Sequence, residues 1–442
     1  MLVARDTRPS GPSLAAAVLA GASALGAVVH DLGELTTPAL HLAVYDTAAG
    51  TLRVSHEQAF GAHVDRLANG YVAMMAHAQE RDGKGTTLVL DCANGVGAAV
   101  AAAVAAHPGV TSTGLTLRLV NTNRSGLNAL CGADFVHKKR ISPAAAQLHD
   151  TANDGDAHWA SLDGDADRLV FYQPSIGDVT HRNSAVPIAS LLDGDKTMCL
   201  LALHTAALIR TAGLAAELFP LAAVQTAYAN GGSAAFLTTS LGGDVIVVTT
   251  PTGVKHLHAA AEHHHVALYW EANGHGSILF SAKAREAIAQ AAAASGDAGA
   301  VAAARQLAAI DAVTNPAVGD GVSTALLVEA ILRCRGMSVP QWNALYDDVP
   351  CCHVACRVAD RSAVRTAPGD ERICVAPAGM QDAVDAAVKA AGPKSRAFVR
   401  ASGTEDIVRV YAEAASNEAA HMLARQVARA VHALAAGVGD AP

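Results

Sequence analysis

Three aspartates alternate with small residues in S-L-D-G-D-A-D-R-L-V-F, residues 161–171, just before an apolar run. Asp163, Asp165 and Asp167 crowd three negative charges that repel unless a cation holds them. An EF-hand needs glycine at the sixth position of its loop and glutamate at the twelfth; those positions hold Arg168 and Pro174, so a calcium sensor is excluded. Carboxylates converging in a tight turn suit Mg²⁺, which keeps a coordination position for a phosphate oxygen. The plain alternative is an acidic surface turn. D-G-D alone decides little, because it recurs at Asp154 and Asp193; the third aspartate and the following L-V-F-Y strand set the middle copy apart.

A second constellation, R-A-S-G-T-E-D-I-V-R, spans Arg400–Arg409. Ser402 and Thr404 offer hydroxyls, Gly403 lets backbone N–H groups form an anion nest, and Arg400 and Arg409 add charge-assisted bonds to a phosphate. The alternative is a hairpin turn with surface arginines. T-G-V-K-H (Thr252–His256) places Lys255 at a helix start, where the dipole favours an anion. E-A-N-G-H-G (Glu271–Gly276) offers a carboxylate, an amide and an imidazole to hydroxyl groups, although Asn-Gly is also an ordinary hairpin turn. Together these segments describe a site for a phosphorylated sugar.

The elements that must position them follow from the hydrophobic rhythm. Strand-like runs such as L-V-A-R, T-T-L-V-L-D-C, L-T-L-R-L-V-N, V-I-V-V-T-T-P and V-A-L-Y-W alternate with helical stretches, which predicts α/β domains with largely parallel sheets. Helices are expected from Leu14 with a cap at Ser10 or Ser13, through Val64–Ala78, and as one segment over Ala284–Ala309. From about residue 350 the texture becomes α+β, with strands at C-H-V-A-C-R-V, S-R-A-F-V-R and I-V-R-V-Y-A-E-A. At 442 residues several domains are required, and the expected division is 1–50, 51–180, 181–345 and 346–442.

Composition excludes several classes. The chain is 51% hydrophobic, which is incompatible with disorder, and its net charge of −8 is spread without a basic face for nucleic acid. Eight cysteines in this length make no disulfide framework; C-C-H-V-A-C at Cys351–Cys356 reads as buried thiols on a strand in preference to a zinc site. His263–His265 reads as a solvated helix end. Leu14–Val29 mimics a signal peptide, but Asp6, Pro9 and Pro12 break its approach, so a cytoplasmic chain without a membrane span is expected.

At these residues the sequence resembles the α-D-phosphohexomutase superfamily along essentially its whole length. The resemblance is carried by R-D-T-R-P-S (Arg5–Ser10), L-T-T-P (Leu35–Pro38), D-C-A-N-G-V-G (Asp91–Gly97), L-C-G-A-D-F-V (Leu130–Val136) and V-Q-T-A-Y-A-N-G (Val224–Gly231), together with the four segments above. E-A-N-G-H resembles the N-acetylglucosamine branch. The resemblance implies interconversion of N-acetylglucosamine 6-phosphate and 1-phosphate through a bisphosphate intermediate, on the route to UDP-N-acetylglucosamine, by a monomer. It implies Mg²⁺ on Asp163, Asp165 and Asp167, substrate contacts from Glu271, Ala272, Asn273 and Lys255, and phosphate contacts from Arg400, Ala401, Ser402, Gly403, Thr404 and Arg409.

The family's nucleophilic serine lies in a T-A-S-H-N-P loop upstream of R-D-T-R-P-S, and no residue here is assigned that role. Ser55-His56 lacks the flanks of that loop. The expectation is a first domain short by roughly a hundred residues, with an open strand edge, uncovered helix faces, partial ligand binding and no turnover. The competing readings are a non-catalytic sugar-phosphate binder and a mutase for another hexose phosphate.

Overall fold

A six-stranded sheet carries the acidic loop, with strands in the spatial order Leu115–Val120, Thr86–Asp91, His158–Leu162, Leu169–Pro174, Val186–Leu192 and Ile141–Ser142. The computed structural model describes residues 1–48, 50, 55–76, 85–144, 157–175, 186–403 and 405–441. They group into a first unit (Met1–Ala223, Gly243–Val245 and Ala261–Leu345) and a second (Val224–Gly242, Ile246–Ala260 and Tyr346–Pro442).

The first unit opens with β1 (Leu2–Arg5) and β2 (His30–Glu34), a parallel pair joined by the helix Gly11–Ala24. Leu32, Leu35, Ala39, Ala43 and Ala59 pack as a small core beneath them. Leu14, Val18, Leu25 and Val28 are exposed. Then come β3 (Thr86–Asp91), β4 (Leu115–Val120), β5 (Ile141–Ser142), β6 (His158–Leu162), β7 (Leu169–Pro174) and β8 (Val186–Leu192). β3 runs parallel to β4 and β6, as the βα alternation predicts. The other half is antiparallel, because β6 and β7 are consecutive strands joined by the short acidic loop, and a connection that short can only form a hairpin. The mixed α/β class thus holds, with its parallel share on one side of this sheet.

The chain leaves the first unit within β9 (Leu221–Thr226), and β10 (Val245–Thr250) lies almost wholly in the second. Back in the first unit, β11 (Val266–Trp270) and β12 (Gly276–Phe280) form an antiparallel hairpin whose turn is Glu271–His275. The second unit continues with β13 (Cys351–Arg357), β14 (Arg365–Ala367), β15 (Asp370–Ala376), β16 (Arg396–Ala401) and β17 (Ile407–Glu413). β17 is the centre of a three-stranded antiparallel sheet between β13 and β16. The helices Met380–Ala391 and Asn417–Leu434 close a core on it with Val384, Leu423, Val427 and Val431.

Local chemistry departs from expectation at several points. Ser10 stands at the N-cap of its helix without a side-chain cap bond, and the Ser13 hydroxyl donates back to the Ser10 carbonyl. Ser55, by contrast, makes a capping box with Gln58, so the expected Val64–Ala78 helix begins earlier, at His56, and ends at Met75. Ser55 is thereby occupied as a helix cap. Ala284–Ala309 is two helices, Ala282–Ala293 and Ala298–Val313, because S-G-D intervenes and Asp297 caps the second. Cys352 and Cys356 point into the core while Cys351 is exposed, as strand alternation requires, and Cys352 Sγ lies 3.1 Å from His421 Nδ1.

Candidate functional site

In the first unit, ligand oxygens of Asp163, Asp165 and Asp167 lie within 4.8 Å of one another. Their loop is pinned by segments distant in sequence. Val96 N donates to the Gly164 carbonyl at 3.2 Å, Thr37 N to Asp165 at 3.1 Å and Gly321 N to Ala166 at 2.9 Å. Ala166 takes a left-handed φ of 63°, a strained value for a non-glycine residue that this bracing sustains. Behind the loop, buried Asp91 accepts bonds from Ala93 N, Asn121 Nδ2, Gly132 N and Ser161 Oγ. Burial pushes its carboxyl above the usual range, and those four bonds oppose the shift.

The carboxylates themselves are held unequally. Arg168 Nε donates to Asp163 at 2.8 Å while its Nη1 donates to Asp134 at 2.9 Å. The Thr37 hydroxyl donates to Asp165 at 2.6 Å. His275 Nδ1 stands 3.1 Å from Asp167. Burial, followed by the Asp167 charge, drives the Asp163 carboxyl well above its ordinary value despite Arg168. For Asp167, burial acts upward, but His275 and Arg168 outweigh it and hold the carboxyl below its ordinary value. Such a cup stores electrostatic repulsion that a cation would relieve, and its all-oxygen donor set fits a hard divalent ion.

The Glu271–His275 turn is joined to this cup by main chain. Arg168 and His275 form an antiparallel bridge, and Leu169 N donates to the Gly274 carbonyl at 3.2 Å. Gly274 has φ 93°, and a Cβ there would strike the Leu169 carbonyl. Gly194 likewise leaves no room for a Cβ, here against the Glu271 carbonyl, so the third D-G-D serves packing, with Asp193 capping the helix Gly194–Thr211. Within the turn Asn273 donates to Glu271 at 3.3 Å. His275 is drawn to Asp167 and buried at 4% exposure, so its imidazole serves the acidic cup where the sequence suggested hydroxyl groups. The Asp154 copy lies outside the described residues.

In the second unit, Arg400 on β16 and Arg409 on β17 are direct cross-strand partners, a like-charge pairing that is unfavourable without a counter-anion. Ser402 is buried at 5% exposure at the end of β16, and its N–H donates to the Ile407 carbonyl at 2.9 Å. Ala401 pairs with Val408, Gly403 is exposed, and Thr404 lies outside the described residues. Lys255 is exposed in the first turn of the helix Val254–Ala261, as expected. Two residues of this region were not legible as site residues. Glu371 accepts from Arg400 Nε at 2.9 Å, and the Tyr228 hydroxyl is buried beside Arg400 without meeting hydrogen-bond geometry. The only available signal for Tyr228 was its place within V-Q-T-A-Y-A-N-G.

Residues 193–337 match the profile described as phosphoacetylglucosamine mutase AMG1, domain III. Residues 1–60 and 354–430 match the phosphoglucomutase/phosphomannomutase α/β/α domain I and C-terminal domain. The human phosphoacetylglucosamine mutase is 39% identical, the match covering 100% of this chain and 77% of that protein. The Saccharomyces cerevisiae enzyme is 37% identical over 93% of this chain and 72% of its own length. The Aspergillus fumigatus N-acetylphosphoglucosamine mutase, solved with GlcNAc-6P and magnesium, superposes with a TM-score of 0.85 at 37% identity, over 98% of this chain and 77% of that one. A substrate complex of an N-acetylglucosamine-phosphate mutase, itself described as an α-D-phosphohexomutase, gives 0.84 at 32% identity over 96% and 75%. The profile, sequence and structure matches therefore make the chain an isomerase of the α-D-phosphohexomutase superfamily. Within that class the chain belongs to the phosphoacetylglucosamine mutase family. Among the described residues no helix is long and apolar enough to cross a membrane.

Proposed function

We propose that this chain carries the metal and sugar-phosphate sites of an enzyme that interconverts N-acetylglucosamine 6-phosphate and 1-phosphate through a hexosamine bisphosphate; the family's donor is a phosphoserine, a role given to no residue of this sequence, so binding is the activity assigned to these residues. The observation that carries the reading is the convergence of Asp163, Asp165 and Asp167 in a loop bridged by main chain to the E-A-N-G-H turn. These three carboxylates would hold Mg²⁺, with His275, Arg168 and Thr37 fixing their orientation. The ion supplies charge neutralisation at the transferring phosphoryl group. Glu271, Ala272 and Asn273 take sugar hydroxyls. Arg400, Ala401, Ser402, Gly403, Thr404 and Arg409 take the non-reacting phosphate, which offsets the repulsion between the facing arginines. Lys255 serves the reacting end. The four-part division at residues 50, 180 and 345 and a cytoplasmic location complete the reading; profile matches to residues 1–60, 193–337 and 354–430 support three of the four parts.

Calorimetry of the whole chain tests it. Titration with MgCl₂ and then with N-acetylglucosamine 6-phosphate is expected to give saturable binding, weaker by at least about tenfold for unphosphorylated N-acetylglucosamine. Equal affinity for the two sugars would refute the phosphate assignment. Tighter binding of glucose 6-phosphate would refute the substrate class.

A further inference from the structure

Glu371 lies in none of the segments that mark the site, yet donors from two separate parts of the second unit meet at its carboxylate. One oxygen accepts from Arg400 Nε at 2.9 Å; the other accepts from the N–H and the hydroxyl of Thr252 at 3.0 and 2.5 Å. Its side chain is 12% exposed, so solvent screens these contacts only partly. Thr252 opens the turn that leads to Lys255, and Arg400 is the last residue but one of β16. From the other side, Arg396 donates to the carbonyls of Ala227 and Ala229 while paired with buried Glu413, which also accepts from Gly231 N. That anchor fixes the strip carrying Tyr228 against Arg400.

We infer that Glu371 is a positioning residue of the sugar-phosphate site, fixing both the Arg400 guanidinium and the Thr252–Lys255 turn before ligand arrives. The inference rests on the function proposed above. A carboxylate on Nε stops rotation of the guanidinium about its stem and leaves the paired Nη groups for bidentate contact with a phosphate. The same carboxylate offsets part of the charge where Arg400 faces Arg409, so the arginines can stay paired across the strands in the absence of ligand. Ordering both segments in advance removes a cost that binding would otherwise incur.

The test is calorimetry on the whole chain with inorganic phosphate and N-acetylglucosamine 6-phosphate, for wild type, Glu371→Ala, Glu371→Gln, Arg400→Ala and the Arg400→Ala/Glu371→Ala double variant. Glu371→Ala is expected to weaken both ligands by about tenfold, and Glu371→Gln, which keeps one acceptor oxygen, by about threefold. Added to Arg400→Ala, Glu371→Ala should cost less than about threefold more, because most of its effect passes through the arginine and the remainder is its hold on the Thr252–Lys255 turn. Mg²⁺ affinity should not move; Tm falls in Glu371→Ala because the carboxylate also offsets the arginine pair, but phosphate affinity measured well below Tm must fall with it, whereas a merely structural residue would lower Tm and leave that affinity unchanged. Unchanged or tighter phosphate binding in Glu371→Gln overturns the inference, as does full additivity with Arg400→Ala or a parallel loss of Mg²⁺ affinity. These outcomes leave the proposed function standing, whereas a wild-type chain that binds neither ligand would overturn both.

Discussion

The acidic cup and the arginine pair solve opposite electrostatic problems by different means. In the cup, the loop that carries three like charges is braced by backbone, since the carbonyls of Gly164, Asp165 and Ala166 each meet an N–H from a different segment, and the side chains of Arg168, Thr37 and His275 only orient its carboxylates. In the second unit, two like charges sit on adjacent strands and are held by side chains, Glu371 on Arg400 and, more loosely at 3.6 Å, Glu405 on Arg409. A backbone-braced site keeps its shape when one side chain is changed. A side-chain-braced site depends on each tether, and an exposed one such as Glu405 on Arg409, at 62% and 48% exposure, contributes little to stability.

The largest test of that contrast is Asp163→Asn. It removes a ligand charge and is expected to lower Mg²⁺ affinity by more than about 100-fold, beyond the usual loss from an outer-shell residue, while circular dichroism stays native. A collapse of the fold would show that the cup is not braced by its backbone. Gly274→Ala attacks the brace itself. Its methyl meets the Leu169 carbonyl, so urea unfolding should show a loss of about 2–3 kcal/mol, and a loss under about 0.5 kcal/mol would mean that the bridge between the two loops yields easily. Smaller still is Arg409→Ala, for which phosphate affinity should fall about fivefold with stability unchanged within about 0.5 kcal/mol.

Acidity sharpens the comparison. The raised Asp163 carboxyl favours the folded state at low pH, and that contribution is lost as pH rises through the raised value. Asp167, lowered, is ionised throughout the interval from pH 5 to 8 and does not oppose the trend there. The rise in Tm on adding MgCl₂ should therefore be larger at pH 8 than at pH 5, and a larger rise at pH 5 would contradict the assignment of Asp163.

What was legible in the sequence was what lies close together along it. D-G-D-A-D-R announces its cup because the three carboxylates fall within one turn, and R-A-S-G-T announces a strand end with hydroxyls and a charge. The residues that orient these groups come from far away. Thr37 reaches Asp165 across 128 positions, and Glu371 reaches Thr252 across 119. No local pattern marks such pairs. His275 was visible, but its partner was not, since only the bridge to Arg168 turns the imidazole toward Asp167. The capping serines show the same limit at short range. Ser10 and Ser55 both precede helices, and only Ser55 has a glutamine three residues on to complete the box.

The Arg168–His275 bridge also sets how the first unit must respond to its ligands. Because the acidic loop and the Glu271–His275 turn are joined through their main chains, a ligand that shifts one would shift the other. If the proposed ligands bind there, thermodynamic reciprocity requires that any gain in sugar affinity conferred by the ion equal the gain in ion affinity conferred by the sugar.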